Sequence, residues 1–333
     1  MMQSLRARDR SVHASIDIRL QMRALEEVSR PALKGGLIVM NAQSGDVLAL
    51  VSYPQDDLLD RARYGQYPPG STFKIVTAIA ALRIDPKLRE KKFHCGPLGD
   101  GRVGTRIPGW NRPIRDDIGD SAHGTLDMAR AITVSCNAYF AQLGTYEVGA
   151  KRLHDTAELL DIPAGEVAEI KKMMPFSSYG QGSVLVTPFK MARVAATIAD
   201  GGTMPQGRWV LDESNSRNDT PRPILAAEPA QMIAAAMRSV VTSGTGRRAM
   251  SGLDITVAGK TGTAQMDEGL PHSWFAGFAP YDGDPATRIA FAVVVEHGGY
   301  GAQVAAPIAR KLIEAARDLG IIPKSTTTVE ARR

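Results

Sequence analysis

The apolar runs short enough to be strands fall in two blocks at opposite ends of the chain. Residues 37–41 and 47–51 make the early pair, with Ala42, Gln43, Ser44, Gly45 and Asp46 as a hairpin turn between them. Residues 255–258, 273–279 and 288–296 make the late block. A parallel βαβ array would alternate strand and helix along the chain, and this one does not. The pattern predicts an α+β fold with a mostly antiparallel sheet, flanked by the helices that fill the middle of the chain.

Residues 15–30 carry Ile18, Met22, Leu25 and Val28 at helical spacing and predict an amphipathic helix, closed by Pro31 and the Gly35–Gly36 pair. A polar loop follows the hairpin and runs to Pro68, Pro69 and Gly70. Residues 71–84 are apolar almost all round, which predicts a buried helix stopped at Asp85 and Pro86. Residues 126–144, 151–160, 187–200 and 228–243 read as four further helices, and 304–319 as a final one covering one sheet face. The stretch 87–123, rich in Gly, Pro and charge, reads as loop, as does 212–222. The expected organisation is a lead-in over 1–33, one main domain over 34–320 and a disordered tail over 321–333.

Of the 333 residues, 44% are hydrophobic and 23% charged, which excludes a disordered or collagen-like chain and leaves enough apolar mass for a core. No uncharged apolar run reaches the roughly 18 residues of a membrane helix. The first ten residues are basic but lack the apolar stretch of a signal peptide. The net charge of +5 is scattered rather than gathered into a stripe with aromatics, so nucleic acid is not an expected partner. A solvated surface is the plainer reading, and attraction to an anionic cell-surface polymer or membrane face the second. The two cysteines, Cys95 and Cys136, make no disulfide framework. Neither they nor the six scattered histidines show metal-ligand spacing, so no metal and no cofactor are expected.

Three short motifs carry chemistry. Ser71 opens a helix with Lys74 three residues on, so both side chains share one face. A lysine among apolar residues is shifted towards neutrality by burial and can take a proton from a neighbouring hydroxyl, which makes Ser71 a candidate nucleophile and Lys74 its base. A Ser N-cap followed by a snorkelling lysine is the plain alternative. Ser135 and Asn137 lie inside the predicted helix 126–144, where buried polar residues invite a break or a partner. Ser216 and Asn218 repeat that spacing in a wholly polar loop and read as coincidence. Lys260, Thr261, Gly262 and Thr263 follow the strand 255–258; Gly262 lets a ligand approach the backbone, and the two Thr hydroxyls can hold a carboxylate or oxyanion. An ordinary β-turn is the alternative there.

In this order the three motifs resemble those of the penicillin-binding protein transpeptidases, of the class B monofunctional type, in the serine penicillin-recognising family. Residues 67–74, 178–188, 258–265, 273–280 and 304–311 extend the resemblance, which covers roughly residues 15–318. It implies the family's antiparallel sheet with an all-helical subdomain. It also implies peptidoglycan D,D-transpeptidation: Ser71 attacks the carbonyl between two D-alanines of a stem peptide, and an acyl-enzyme forms that a second strand's amine resolves. Lys74 would be the base, Ser135 would relay a proton under Lys260 and Lys74, and Asn137 would bind the substrate amide. Ser71 and Thr263 N–H groups would form the oxyanion hole, with Thr261, Gly262 and Thr263 at the substrate carboxylate. Trp274 and Tyr300 would stand at the cleft rim, with core packing for the Trp and a loop for the Tyr as alternatives. Cys136 reads as a small buried residue facing away from the cleft rather than as a redox switch.

The implied partners are stem peptides ending in D-Ala-D-Ala, β-lactam antibiotics and, for an anchored form, a membrane glycan polymerase. The implied place of work is outside the cytoplasmic membrane. The membrane helix and pedestal of class B members are not seen in these residues. A D,D-carboxypeptidase using water as acceptor, a serine β-lactamase and a non-catalytic β-lactam sensor or scaffold remain alternatives. The β-lactamase reading fits less well, because Glu166 has Ile170 rather than Asn four residues on.

Overall fold

The computed structural model describes residues 12–211 and 220–323. Helix α1 (Ile18–Ser29) is capped by the Asp17 carboxylate, which accepts from the N–H groups of Arg19 and Leu20. Its buried face is Leu20, Ala24 and Val28, while Ile18 and Met22 are exposed. The apolar stripe expected through Ile18 and Met22 is therefore offset from the face that packs. Strands β1 (Gly35–Asn41) and β2 (Val47–Tyr53) form the expected hairpin.

A 3₁₀ turn, Gly70–Phe73, then leads into α2 (Lys74–Ile84), buried from Lys74 to Leu82 as its all-round apolar pattern requires. The stretch expected as loop instead holds strands β3 (Phe93–Pro97), β4 (Val103–Thr105) and β5 (Ile114–Arg115), which pair with β6 (Gly124–Leu126) in a small sheet of order β5-β4-β3-β6. Strands this short show no readable alternation.

The single helix expected over 126–144 is two, α3 (Met128–Val134) and α4 (Asn137–Leu143). Ser135 ends α3 in the left-handed region at φ 62°, and Cys136 caps α4. Helices α5 (Ala150–Leu159), α6 (Val167–Lys172), α7 (Met174–Ser177) and α8 (Pro188–Ala199) follow. A minor ribbon pairs β7 (Thr203–Met204) with β8 (Arg222–Pro223), and α9 (Ala227–Thr242) and α10 (Arg247–Met250) close the helical lobe. Most of the expected 212–222 loop, with Ser216 and Asn218, lies outside the described residues.

The strand expected at 255–258 begins only at Ala258: β9 (Ala258–Ala264) contains Lys260, Thr261, Gly262 and Thr263, so that motif is strand and not turn. β10 (His272–Ala279), β11 (Ile289–Val295) and α11 (Ala305–Asp318) are the last elements among the described residues. The main sheet is antiparallel throughout, in the order β2-β1-β11-β10-β9. Helices α1 and α11 pack together beside it, and α8 packs on β1, β10 and β11. With helices against it, β10 and β11 are buried along their whole length, which is why they read as unbroken apolar runs. The helical lobe gathers around α2 and meets the sheet at the β9 edge. Ile322 is buried, so the packed chain reaches into the segment expected as tail; residues 324–333 lie outside the described residues.

Candidate active site

The turn that carries Ser71 is pressed against the edge of β9. Gly70 has φ +52°, and a Cβ there would lie 2.6 Å from the Thr263 carbonyl oxygen, so glycine alone lets the turn approach. Lys74 opens α2 with its side chain fully buried, and its Nζ donates to Ser71 Oγ at 2.7 Å. The left-handed Ser135 brings its Oγ to 3.2 Å from Lys74 Nζ and 2.8 Å from Lys260 Nζ. Asn137 Oδ1 accepts from Lys74 Nζ at 2.6 Å, and its Nδ2 donates to the Arg115 carbonyl at 3.0 Å. Lys260, also fully buried, donates further to the Thr261 carbonyl at 3.0 Å. The five residues expected from the three motifs thus form one hydrogen-bonded cluster.

The electrostatics follow from burial. Desolvation brings Lys74 down to about 8, against the pull of the Asp116 and Asp117 carboxylates. Burial, with the Lys74 charge beside it, pushes Lys260 well below the usual lysine range. Lys74 also donates to the Ser135 carbonyl. That oxygen and Asn137 Oδ1 can only accept. A neutral amine has two N–H bonds and one lone pair; with both bonds spent on these acceptors, the lone pair is left for the Ser71 hydroxyl.

The cluster opens into a cavity of about 240 Å³ lined by Ser71, Ser135, Thr261, Thr263, Thr245, Asp117, Ile118, Asp120, Tyr300 and Ala302. Thr261 and Thr245 hydroxyls share a hydrogen bond of 2.6 Å. Larger grooves elsewhere, of about 570 Å³ beside Arg238 and Val257 and about 500 Å³ beside Tyr281 and Arg288, contain none of the motif residues, so size does not mark the site. Tyr300 is 42% exposed on the cavity wall. Trp274 is not at the rim: its ring is fully buried, and its Nε1 donates to the Pro68 carbonyl at 3.0 Å. Asp117, Ile118 and Asp120 went unseen because they sit in the stretch read as loop. Thr245, between Gly244 and Gly246, had a local signal, a hydroxyl residue in a glycine turn after a helix.

Behind Asn137 lies a second cluster. Cys95, Asp116, His123 and Cys136 bring their donor atoms within 4.8 Å of one another. Both cysteine Sγ atoms contact Asp116 Oδ2, at 3.1 and 3.2 Å. Asp116 Oδ1 accepts from the backbone N–H groups of Asn137 and Ala138 and so caps α4. Burial alone would raise Asp116, but hydrogen bonds from His123 and Cys95 outweigh it and hold the carboxyl at about 2. His123 Nδ1 is buried 3.0 Å from Asp116 Oδ2, and the Asp116 carboxylate, with Cys95 beside it, raises the imidazole to about 10, so the ring is held in its charged form. Two sulfurs, an imidazole and a carboxylate are a donor set that suits a tetrahedral divalent ion such as zinc. The expectation of no metal site rested on spacing along the chain, and the fold brings these four side chains together despite that spacing. Cys136 is buried as expected.

Residues 35–314 match the family model described as the penicillin binding protein transpeptidase domain. Peptidoglycan D,D-transpeptidase MrdA of Haemophilus influenzae is 27% identical over 381 residues, covering 92% of this chain but only 56% of that protein. Penicillin-binding protein A of M. tuberculosis, solved as a ceftriaxone acyl-enzyme complex, superposes with a TM-score of 0.77 at 25% identity, over 92% of this chain and 79% of that one. A component of a peptidoglycan synthase complex that coordinates polymerization and crosslinking superposes with a TM-score of 0.73 at 26% identity, over 91% of this chain and 62% of that one. The chain belongs to the penicillin-binding protein transpeptidase domain family.

Proposed function

We propose that this chain catalyses peptidoglycan D,D-transpeptidation through a Ser71 acyl-enzyme and is acylated by β-lactams. The observation that carries the reading is the Lys74 Nζ–Ser71 Oγ contact of 2.7 Å on an amine whose other donors are taken by pure acceptors. Lys74 takes the Ser71 hydroxyl proton as Oγ bonds to the carbonyl carbon between two D-alanines of a stem peptide. Electrons move onto the carbonyl oxygen, which the backbone N–H groups of Ser71 and Thr263 would receive. On collapse the C–N bond breaks, and Ser135, held between Lys74 and Lys260, passes a proton to the leaving D-alanine amine. The amine of a second stem peptide then attacks the ester, forms the cross-link and returns Oγ to its hydroxyl. Asn137 holds the substrate amide, and Thr261, Gly262 and Thr263 the terminal carboxylate.

The M. tuberculosis acyl-enzyme supports the β-lactam assignment. The synthase complex supports a membrane glycan polymerase as partner, and with it a place of work outside the cytoplasmic membrane. Among the described residues no helix is long and apolar enough to cross a membrane. The test is intact-mass spectrometry after exposure to penicillin. One stable adduct is expected, lost in Ser71→Ala. A folded protein with no adduct refutes the reading, and fast turnover without an adduct makes it a β-lactamase. Incubation with a stem peptide and an amine acceptor then separates cross-linking from hydrolysis.

A further inference from the structure

Residues 67–70, which lead into the nucleophile turn, cannot hold themselves in place. Pro68 and Pro69 have no N–H to donate, and among the described residues the segment's ladder pairing is a single bridge between Tyr67 and Val186. Each residue is instead gripped from outside or by the turn itself. Tyr67 exchanges both backbone hydrogen bonds with Val186, at 2.9 Å each, and its hydroxyl donates to Glu296 Oε1 at 2.8 Å. The Pro68 carbonyl accepts from the buried Trp274 Nε1 at 3.0 Å. The Pro69 carbonyl accepts from Thr72 Oγ1 at 2.8 Å, and Gly70 N–H donates to the Gly180 carbonyl at 2.9 Å.

Two of these grips come from side chains far along the sequence. Glu296 follows β11, and its Oε1 also accepts from Arg61 Nε at 2.8 Å; Arg61 is itself buried and bonded to Asp57. Trp274 stands on β10 opposite Gly262 of β9, where a Cβ would come within 2.9 Å of the Trp274 Cβ and 3.1 Å of the Pro69 oxygen. Its ring also meets Tyr67 edge-on, with centroids 6.1 Å apart. One residue therefore touches both the approach to Ser71 and the strand that carries Lys260 to Thr263.

We propose that Trp274, and Glu296 acting through Tyr67, are positioning residues for Ser71: they fix the distance between the nucleophile turn and β9 before any substrate arrives. Neither touches the reacting atoms. The proposal rests on the acyl-serine reading above and adds to it where the rigidity of the nucleophile comes from. A misplacement of about 1 Å in a preformed site is enough to slow chemistry by about a hundredfold while leaving binding in place.

The experiment is stopped-flow acylation of the purified protein by a fluorescent penicillin over a range of concentrations, which separates the non-covalent dissociation constant from the first-order acylation rate constant. Trp274→Phe keeps an aromatic ring and removes the indole donor. Its rate constant is expected to fall about 10- to 100-fold, with the dissociation constant changed by less than about threefold. Tyr67→Phe, the milder change, is expected to fall about 3- to 10-fold in the same constant. Glu296→Gln still offers an amide oxygen to Tyr67 and Arg61, so it should recover most of the loss seen in Glu296→Ala. A Trp274→Phe or Tyr67→Phe protein that acylates at the wild-type rate overturns the proposal. So does a loss of rate that merely tracks the fraction unfolded in a parallel thermal melt, or a Glu296→Gln protein no better than Glu296→Ala. A wild-type protein that forms no adduct overturns the acyl-serine reading instead, so the two failures are distinct.

Discussion

At Lys74 a single amine is fully buried yet surrounded by four oxygen acceptors, an arrangement that stabilises it in either charge state. Its value near 8 sets the direction of the pH response. Proton abstraction from Ser71 needs the neutral amine, so the acylation rate constant is expected to rise with pH through about 8 and then level off. A profile flat from pH 6 to about 9 would remove Lys74 from the role of base. The stability sign is the same. The folded state releases its proton near 8 while the unfolded chain keeps it to the ordinary lysine value, so Lys74 makes stability rise with pH across that window. Lys74→Ala is expected to slow acylation by about 10² to 10⁴ with the fold retained, read by penicillin labelling beside a thermal melt. Ser135 carries a different tension. Its left-handed φ of 62° is unfavourable for a residue with a Cβ, and glycine would adopt it freely. Ser135→Gly is therefore expected to stay within about 1 kcal/mol of wild-type stability while acylation falls. A large loss of stability would mean that the hydroxyl's contacts with the two lysines hold the fold rather than serve the chemistry.

That same residue shows what an element looks like from sequence and what stays hidden. Residues 126–144 keep a helical pattern straight through Ser135, because a single left-handed residue leaves no mark on hydrophobic spacing. The break can be seen only in its consequence: Ser135 and Asn137 are turned onto Lys74 from two different helices. Ser71 with Lys74, and Lys260 through Thr263, were readable because each lies within four residues on one turn or strand, so that local geometry alone places the side chains together. The β9 boundary was misjudged because Gly259 and Gly262 look like turn residues; in the fold they are strand positions where Phe275 and Trp274 of β10 lie too close for a Cβ. Cys95, Asp116, His123 and Cys136 were unreadable for the opposite reason: three come from the small sheet and the loops around it, and their convergence is purely tertiary. This cluster yields its own expectation. Asp116 caps α4 through Asn137 and Ala138, so Asp116→Ala leaves buried donors unpaired and should cost about 2 kcal/mol or more of stability. Denaturant unfolding checks it, and an unchanged midpoint would mean that α4 is held by Cys136 and its packing alone.

A five-stranded antiparallel sheet has two edges, and this molecule treats them differently. The β9 edge meets the nucleophile turn and borders the cleft. The β2 edge is closed by the lead-in segment. Gln21 of α1 imitates a neighbouring strand there: its Nε2 donates to the Leu50 carbonyl at 2.6 Å, and its Oε1 accepts from Leu50 N–H at 2.8 Å. Asp17 N–H donates to the Leu48 carbonyl at 2.9 Å, and Ser15 Oγ to the Val47 carbonyl at 2.8 Å. Leu20, Ala24 and Val28 meanwhile fill the space between β2 and α11. The lead-in thus belongs to the scaffold and lies at the edge opposite the chemistry. Removing residues 1–30 would expose a row of unpaired strand groups, the usual template for association between chains, and would lose about 3 kcal/mol from Leu20 and Val28 burial alone. The truncated protein is expected to melt at lower temperature and to self-associate in light scattering. The monomeric fraction should still be acylated at close to the full-chain rate, because the Ser71 turn, α2 and β9 make none of these contacts. Gln21→Ala should show the milder form of the same behaviour. Acylation lost from truncated protein that remains folded and monomeric would contradict this division of the two edges, and would mean that the lead-in transmits order across the whole sheet to the nucleophile.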